Sequence, residues 1–128
     1  MTRKQATLLF KGLIAMAGGL AIAAHVEAAA CRVTQTTTVA GQKIESDLCM
    51  QNLGLDAARF KTLCSDGSEG VPSLGVAPAK VVYLAACPTK AVNVCEGFGQ
   101  GTYTTYFYNK EDGPQRKQGC EATGGKFN

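Results

Sequence analysis

The chain has 128 residues, with 13 lysines and arginines against 10 aspartates and glutamates, 6 cysteines and 1 histidine. This length accommodates one small domain, and the apolar fraction of 45% and the charged fraction of 18% are near ordinary globular values. The composition therefore argues against a wholly disordered, collagen-like or multi-span membrane protein.

Residues 1–30 have the pattern of an export signal. The basic residues Arg3, Lys4 and Lys11 stand at its start. An apolar run over 12–24 follows them, and small residues after it suit a signal peptidase. The run is shorter than the roughly 20 residues that a membrane-spanning helix needs. Cleavage is expected after Ala28 or Ala30, which leaves one disulfide-rich domain, 31–128.

Removal of this segment changes the charge balance. It takes away three of the 13 basic residues, together with Glu27, and leaves 10 basic and 9 acidic residues with a net charge of +1. So small a charge gives no reason to expect nucleic acid or an anionic membrane as a partner. The mature chain is expected in the periplasm or outside the cell, without a membrane span.

All six cysteines lie beyond the apolar run: Cys31, Cys49, Cys64, Cys87, Cys95 and Cys120. An even number in a small exported chain indicates a disulfide framework and leaves its pairing open. Cys31 has an alternative role, because a cysteine that follows small residues at an export site can carry a lipid anchor. Ala28 stands where signals for lipidation usually have a leucine. Lipidation of Cys31 would also leave five cysteines, one of them unpaired. Both observations favour a disulfide at Cys31.

The mature chain is predicted to begin with a strand. The β-branched run 32–39 indicates it, and a short helix over 46–53 is expected to stop at a glycine. Asp56 is a favourable N-cap for another helix over 57–64. The residues on its predicted core-facing side are Phe60 and Cys64.

The second half begins with a loop over 65–79, which is rich in glycine and proline. The apolar run 80–86 predicts a buried strand. Two more strands, 91–95 and 102–108, flank a glycine-rich turn and should pair antiparallel. A second short helix is predicted over 112–121, with Asp112 as its N-cap.

Together these elements predict a small α+β domain, with an antiparallel sheet of three to four strands and two short helices held by disulfides. An internal repeat is a further hypothesis, because three residues of one helical stretch recur at the same spacing in the other. The matching residues are Asp56, Lys61 and Cys64 in the first stretch and Asp112, Lys117 and Cys120 in the second. The cysteine triplets over 31–64 and 87–120 also span equal lengths.

The only histidine, His25, lies in the segment that is expected to be removed. The mature chain then lacks the imidazole that Ser-His-Asp, Cys-His and histidine-zinc chemistry require. It also has no Cys-x-x-Cys pair, which disfavours thioredoxin-like redox catalysis, haem attachment and zinc ribbons. No catalytic residue, cofactor or metal site is therefore predicted.

Carboxylate chemistry remains open, since two acids can cleave a glycoside without histidine. The candidate pairs are Glu45 with Asp47, Asp66 with Glu69, and Glu111 with Asp112. All three lie in polar surroundings, where solvated surface charge is the simpler interpretation.

The run 103–108 concentrates aromatic residues. Strand alternation places Tyr103 and Phe107 on one face and Tyr106 and Tyr108 on the other. Exposed tyrosines are typical of recognition surfaces, and the alternative is cross-strand packing in a small sheet. The candidate binding residues are Phe98, Tyr103, Tyr106 and Tyr108.

Several short motifs resemble those of small exported, cysteine-rich, often lipoprotein-like proteins of Gram-negative bacteria. They are the helix that ends at Cys64, the Cys87-Pro88 step, the tyrosine-rich strand followed by Gln118 and Cys120, and the ending Gly124-Gly125-x-Phe127. The resemblance carries no catalytic residues. It implies the disulfide pairs Cys95–Cys120, Cys49–Cys64 and Cys31–Cys87.

The leading functional hypothesis is a non-enzymatic exported module that binds a protein or glycan at the envelope or outside the cell, for example as an enzyme inhibitor. One alternative is a small carboxylate-dependent hydrolase or toxin that acts on the cell wall. Another is a structural component of the envelope.

Overall fold

A computed structural model describes residues 28–110 and 113–128. It contains an antiparallel sheet of six strands in the order β3-β1-β2-β5-β4-β6. The strands are β1 (Ala30–Val39), β2 (Gln42–Asn52), β3 (Lys80–Leu84), β4 (Asn93–Gly97), β5 (Tyr103–Phe107) and β6 (Lys126–Phe127). The helical elements are α1 (Ala57–Ser65), a left-handed turn α2 (Phe98–Gly101), α3 (Gly113–Ala122) and a 3-10 turn over Pro72–Leu74.

The predicted class is confirmed at the level of a mixed helix and antiparallel-sheet domain with disulfides. The predicted number of strands is wrong, because the sheet has six strands rather than three to four. β1, β3, β4 and β5 lie where strands were predicted, and β4 pairs antiparallel with β5 as expected. The additional strands are β2 and β6. Asp112 and residues 1–27 of the predicted export signal lie outside the described residues.

The predicted helix over 46–53 is wrong, because most of this segment is the second half of β2. β2 pairs with β1 along its length and with β5 on its other side, so its main-chain groups are satisfied by two neighbours. A two-residue turn joins β1 to β2, with φ of 50° at Ala40 and 78° at Gly41. Positive φ at both positions is the geometry of a tight hairpin, and the hairpin forces the extended conformation.

Helix α1 forms as predicted. The carboxylate of Asp56 accepts a hydrogen bond from the Arg59 main-chain N–H at 2.8 Å, which caps the first turn. Phe60 and Cys64 are the buried residues of the helix, and they pack on one side of β1. This side of the sheet is called the helix side below, and the opposite side is called the open side.

The sheet consists of two ββαβ units, which supports the repeat hypothesis. In each unit two strands form a hairpin, a helix follows, and a third strand pairs with the first: β1-β2-α1-β3 and β4-β5-α3-β6. The units meet through β2 and β5, where Met50 lies opposite Thr105. Met50 also pairs with Cys31, and Thr105 pairs with Cys95, so equivalent residues face each other across an approximate two-fold axis.

Three disulfides join the six cysteines: Cys31–Cys64, Cys49–Cys87 and Cys95–Cys120. The pair Cys95–Cys120 is confirmed, and the other two implied pairs are wrong. The reason is strand alternation. Cys31 lies opposite Met50, so the next residue along β2, Cys49, points to the open side and cannot meet α1 on the helix side.

Two of the disulfides are equivalent under the repeat. Cys31–Cys64 ties β1 to α1, and Cys95–Cys120 ties β4 to α3. Cys95 is therefore the counterpart of Cys31, rather than Cys87 as the equal triplet lengths suggested. Each unit has one covalent bond between its first strand and its helix.

The third disulfide anchors the connection between the units. β3 lies at one edge of the sheet and β4 lies four positions away, so residues 85–92 must cross β1, β2 and β5. Cys87 bonds to Cys49 on the middle strand β2, and the Cys87 N–H donates to Gln51 Oε1 at 2.9 Å. The linker 85–92 therefore crosses the open side and is fixed near the centre of the sheet.

The interior is built largely from cystine. The largest side chains that are almost fully buried are five of the six half-cystines: Cys31, Cys49, Cys64, Cys95 and Cys120. Two small clusters surround them, one with Phe60 on the helix side and one with Ala30 on the open side. None of the helices within residues 28–110 and 113–128 has the length and hydropathy of a membrane-spanning segment.

Candidate functional site

The four predicted aromatic binding residues do not form one surface. Phe98 and Tyr103 lie together at the α2 turn, with ring centroids 5.2 Å apart and an interplanar angle of 40°. Tyr106 and Tyr108 pack instead on the open side, against the cluster that contains Cys49 and Cys87. The two pairs therefore lie apart.

The α2 turn differs from an ordinary helix. Gly99 and Gln100 both have φ of 62°, with ψ of 47° and 39°, and the flanking Gly97 and Gly101 are also left-handed. Glycine adopts this region at little cost, so the glycines of the predicted turn allow the chain to reverse between β4 and β5.

Burial raises the pKa of Tyr103 above the ordinary tyrosine value of about 10. Burial is also the largest cause of the raised pKa of Tyr108, and the positive charge of Arg32 acts in the opposite direction.

Both pKa values are higher in the folded chain, so the stabilisation from these groups is complete below about pH 10 and is lost as the pH rises further. We expect the free energy of unfolding to fall above about pH 10, and we expect Tyr103→Phe to reduce that fall. Urea unfolding at several alkaline pH values measures both. If the free energy of unfolding falls equally in the wild type and in Tyr103→Phe, the raised pKa does not belong to Tyr103.

Arg32 and Asp47 form a bidentate ion pair on the open side. The Arg32 Nε donates to Asp47 Oδ1 at 2.9 Å, and Nη2 donates to Oδ2 at 2.7 Å. The hydrogen bond to Asp47 is the main cause of the raised pKa of Arg32. The guanidinium also lies 4.6 Å from the centroid of the Tyr108 ring, and the Tyr108 hydroxyl donates to the Pro88 carbonyl at 2.7 Å. Tyr108 therefore connects the Arg32–Asp47 pair to the linker.

A hollow beside this pair is called the open-face groove, and its volume is about 420 Å³. It is lined by Arg32, Thr34, Lys80, Val82, Leu84 and Pro88. The three residues of β3 in this set alternate along the strand, so they all face the open side. The groove thus lies over β1 and β3, with the anchored linker at its wall.

A second hollow lies on the other face of the same strand. This helix-side pocket has a volume of about 280 Å³ and is lined by Ala28, Ala57, Phe60, Lys61 and Tyr83. Phe60 is buried in the core, whereas 42% of the Tyr83 surface is exposed. The pocket is therefore an apolar recess between α1 and the sheet edge, with a lysine at its rim.

β3 itself is an edge strand, and its predicted burial is wrong. It pairs with β1 on one side only, and within the described residues no strand lies beyond it. Val82 is 40% exposed, although it points to the open-face groove. The apolar residues Val81 and Leu84 pack partly buried against the two core clusters, and the outer edge of β3 has no paired strand within the described residues.

The candidate carboxylate pairs do not form an enclosed acidic site. Asp47 is engaged by Arg32, and Glu45 is exposed two residues away. Asp66 and Glu69 are exposed beside the C-terminal end of α1. The third pair, Glu111 with Asp112, lies outside the described residues. Within residues 28–110 and 113–128, no group of three or more histidine, cysteine or acidic side chains is arranged to hold a metal ion.

The sequence interpretation missed the residues that surround β3. Arg32 and Asp47 come together only when β1 and β2 pair as a hairpin, and the predicted helix over 46–53 concealed that pairing. Tyr83 and Lys61 are separated by the long loop 65–79, so no local signal links them. The apolar character of 80–86 was the only available indication.

Family models, curated proteins and solved structures were compared with this chain, and none of them matched. The function is therefore inferred from the geometry of the chain itself.

Proposed function

We propose that this chain is an exported, non-enzymatic module that binds another protein through the β3 side of its sheet. Three disulfides indicate an oxidising compartment outside the cytosol, which agrees with the predicted export signal. The observation that carries the proposal is an exposed edge strand with a hollow on each face. Accessible main-chain groups favour a protein over a glycan, because another polypeptide can pair with them.

Maturation is proposed to occur after Ala28 rather than after Ala30. The Ala29 carbonyl accepts hydrogen bonds from the Asn52 N–H at 2.8 Å and from Gln51 Nε2 at 3.1 Å. Ala30 is fully buried and begins β1. Cleavage after Ala30 would remove these contacts. A lipid anchor on Cys31 would need that later site and a free thiol, whereas its sulfur is bonded to Cys64.

A chain that starts at Cys31 should be less stable than one that starts at Ala29. The two lost hydrogen bonds and the lost Ala30 methyl together should cost about 2–3 kcal/mol. Chemical unfolding of the two oxidised chains measures this difference, and mass spectrometry of the exported protein identifies its first residue. Equal stabilities, or a natural N-terminus at Cys31, would contradict the proposal.

The binding function is tested by affinity capture with the immobilised, oxidised, exported chain. Envelope extract and culture fluid are passed over the wild type, over Val82→Glu and over Lys43→Glu. Val82→Glu places a charge in the open-face groove, whereas Lys43 is exposed near the β1–β2 hairpin turn and serves as the control. We expect a protein that is retained by the wild type and the control and is lost by Val82→Glu. Identical retention by all three would exclude the β3 side.

The oxidised, exported wild-type chain is also tested for catalysis. It is incubated with a cell-wall preparation over about pH 4 to 8, the range in which paired carboxylates work. We expect no release of sugar products. Turnover that Asp47→Asn abolishes would contradict the proposal and support a carboxylate hydrolase.

A further inference from the structure

We infer that the edge of β3 accepts an extended acidic segment of the partner protein as a seventh strand. This inference rests on the proposed binding function and specifies the kind of partner. It arises from three observations: the open main-chain edge of β3, the hollows on its two faces, and the positive charge beside it.

The two hollows match the periodicity of a strand. Successive side chains of an added strand point to opposite faces of the sheet. On one face they would enter the helix-side pocket beside Phe60 and Tyr83, and on the other they would meet Val82 in the open-face groove. Main-chain pairing then supplies affinity, and the alternating pockets supply selectivity.

The charges beside β3 indicate which kind of segment would pair with it. Lys61 lies at the rim of the helix-side pocket, and Lys80 lines the open-face groove. Lys80 also borders an adjoining hollow that contains Glu45 and Asp47. Neither lysine forms a salt bridge within the described part of the chain. β3 itself, Lys80–Leu84, contains no acidic residue. An acidic segment would neutralise both lysines, whereas a second copy would bring its own Lys61 on α1 and Lys80 on β3 and would offer them no opposite charge.

The helix-side pocket favours an apolar side chain at one position of that segment. Its walls include the Phe60 and Tyr83 rings and the Ala57 methyl group, which all remain after the proposed cleavage. With Ala28 present the volume is about 280 Å³, which accommodates one large side chain, and removal of Ala28 leaves more room. The recognised segment therefore carries acidic residues on both faces, beside Lys61 on the helix side and beside Lys80 on the open side, and one large apolar residue for the helix-side pocket.

The test uses a synthetic, labelled peptide of about nine residues in which two glutamates flank a central phenylalanine on each side and the outer residues are valine, so that both faces of the strand carry acidic side chains. Its binding to the oxidised, exported chain is measured by fluorescence anisotropy. Two further peptides have N-methyl groups on the main chain, one at the odd-numbered positions and one at the even-numbered positions. In an added strand only one of these two sets of N–H groups faces β3. We expect one methylated peptide to bind at least about tenfold more weakly, and the other to bind like the parent.

Protein variants locate the contact. Lys61→Glu combined with Lys80→Glu should weaken binding about tenfold, and the wild-type affinity should fall as salt is added. Lys117→Glu is the matched control, because Lys117 occupies the α3 position that corresponds to Lys61 in α1. Ala57→Phe should fill the helix-side pocket and remove the preference for phenylalanine over alanine at the peptide centre.

Several results would overturn the inference. They are equal binding of both methylated peptides, absence of peptide binding, or indifference to the lysine and Ala57 variants. A wild-type dimer that Val82→Glu dissociates would assign the edge to a second copy instead. If affinity capture still yields a protein that Val82→Glu loses, the binding function survives and only strand addition fails.

Discussion

Replacing both Cys31 and Cys64 with alanine is expected to lower the free energy of unfolding by about 4 kcal/mol. The bond closes a loop with a sequence separation of 33, and the chain-entropy model gives this value for the freedom that the unfolded chain regains. Domains are stable by only about 5–15 kcal/mol, so the variant should lose about a quarter or more of its free energy of unfolding. Guanidinium unfolding, followed by far-UV circular dichroism, measures the loss.

The matched control replaces Cys49 and Cys87. Their sequence separation of 38 gives nearly the same loss in the chain-entropy model, again about 4 kcal/mol. This bond holds the linker 85–92 rather than a helix, so α1 should remain docked. Amide exchange in α1 should therefore accelerate in the Cys31 and Cys64 variant and remain slow in the control. Equal protection of α1 in both variants would show that the Cys31–Cys64 bond does not hold the helix to the sheet.

Gly125→Ala should destabilise the second unit by about 1–3 kcal/mol through overpacking against a disulfide. A Cβ atom at this position would lie 2.7 Å from the Cys95 sulfur and 2.8 Å from the Cys120 sulfur. Both sulfurs are buried and bonded to each other, so neither can move aside without displacing a strand or a helix. Thermal and chemical unfolding of the oxidised variant measure the effect.

Gly119→Ala is the control for that substitution, and it should have the opposite sign. Gly119 lies inside α3, and a Cβ atom there would meet nothing within 4 Å. Alanine in a helix interior is favoured over glycine by about 0.5–1 kcal/mol. A stabilising Gly119→Ala beside a destabilising Gly125→Ala would attribute the loss to the disulfide contact. A neutral Gly125→Ala would show that the Cys95–Cys120 bond tolerates a side chain beside it.

Elements with a strong local signal were predictable. The β-branched run of β1, the N-cap of α1 and the glycine-rich turn between β4 and β5 each depend on neighbouring residues, and all are present in the structure. The second half of β2 was predicted as a helix because its extended conformation is imposed by pairing with β1 and β5, and no short window of sequence reports that pairing.

The candidate site was harder to predict for the same reason. Its residues come from β1, α1, β3 and the linker, which are distant in sequence. The predicted aromatic residues belong to β5 and its turn, and strand alternation divides them between the two sides of the sheet. The apolar run of β3 suggested a buried strand, whereas its position at the sheet edge leaves Val82 and Tyr83 exposed. Hydropathy indicates which residues favour burial, but sheet order decides which of them achieve it.

The sequence alone predicted an export-type segment, and it determined that six cysteines favour a disulfide framework and that helix and strand signals recur in both halves. These properties depend on composition and local spacing. Only the tertiary structure decided that Cys31 bonds to Cys64, that two ββαβ units share one sheet, and that β3 is left at its edge. The physical reason is that strand pairing and disulfide formation depend on which face each residue occupies and on which segments meet, and those relations exist only after the chain has folded.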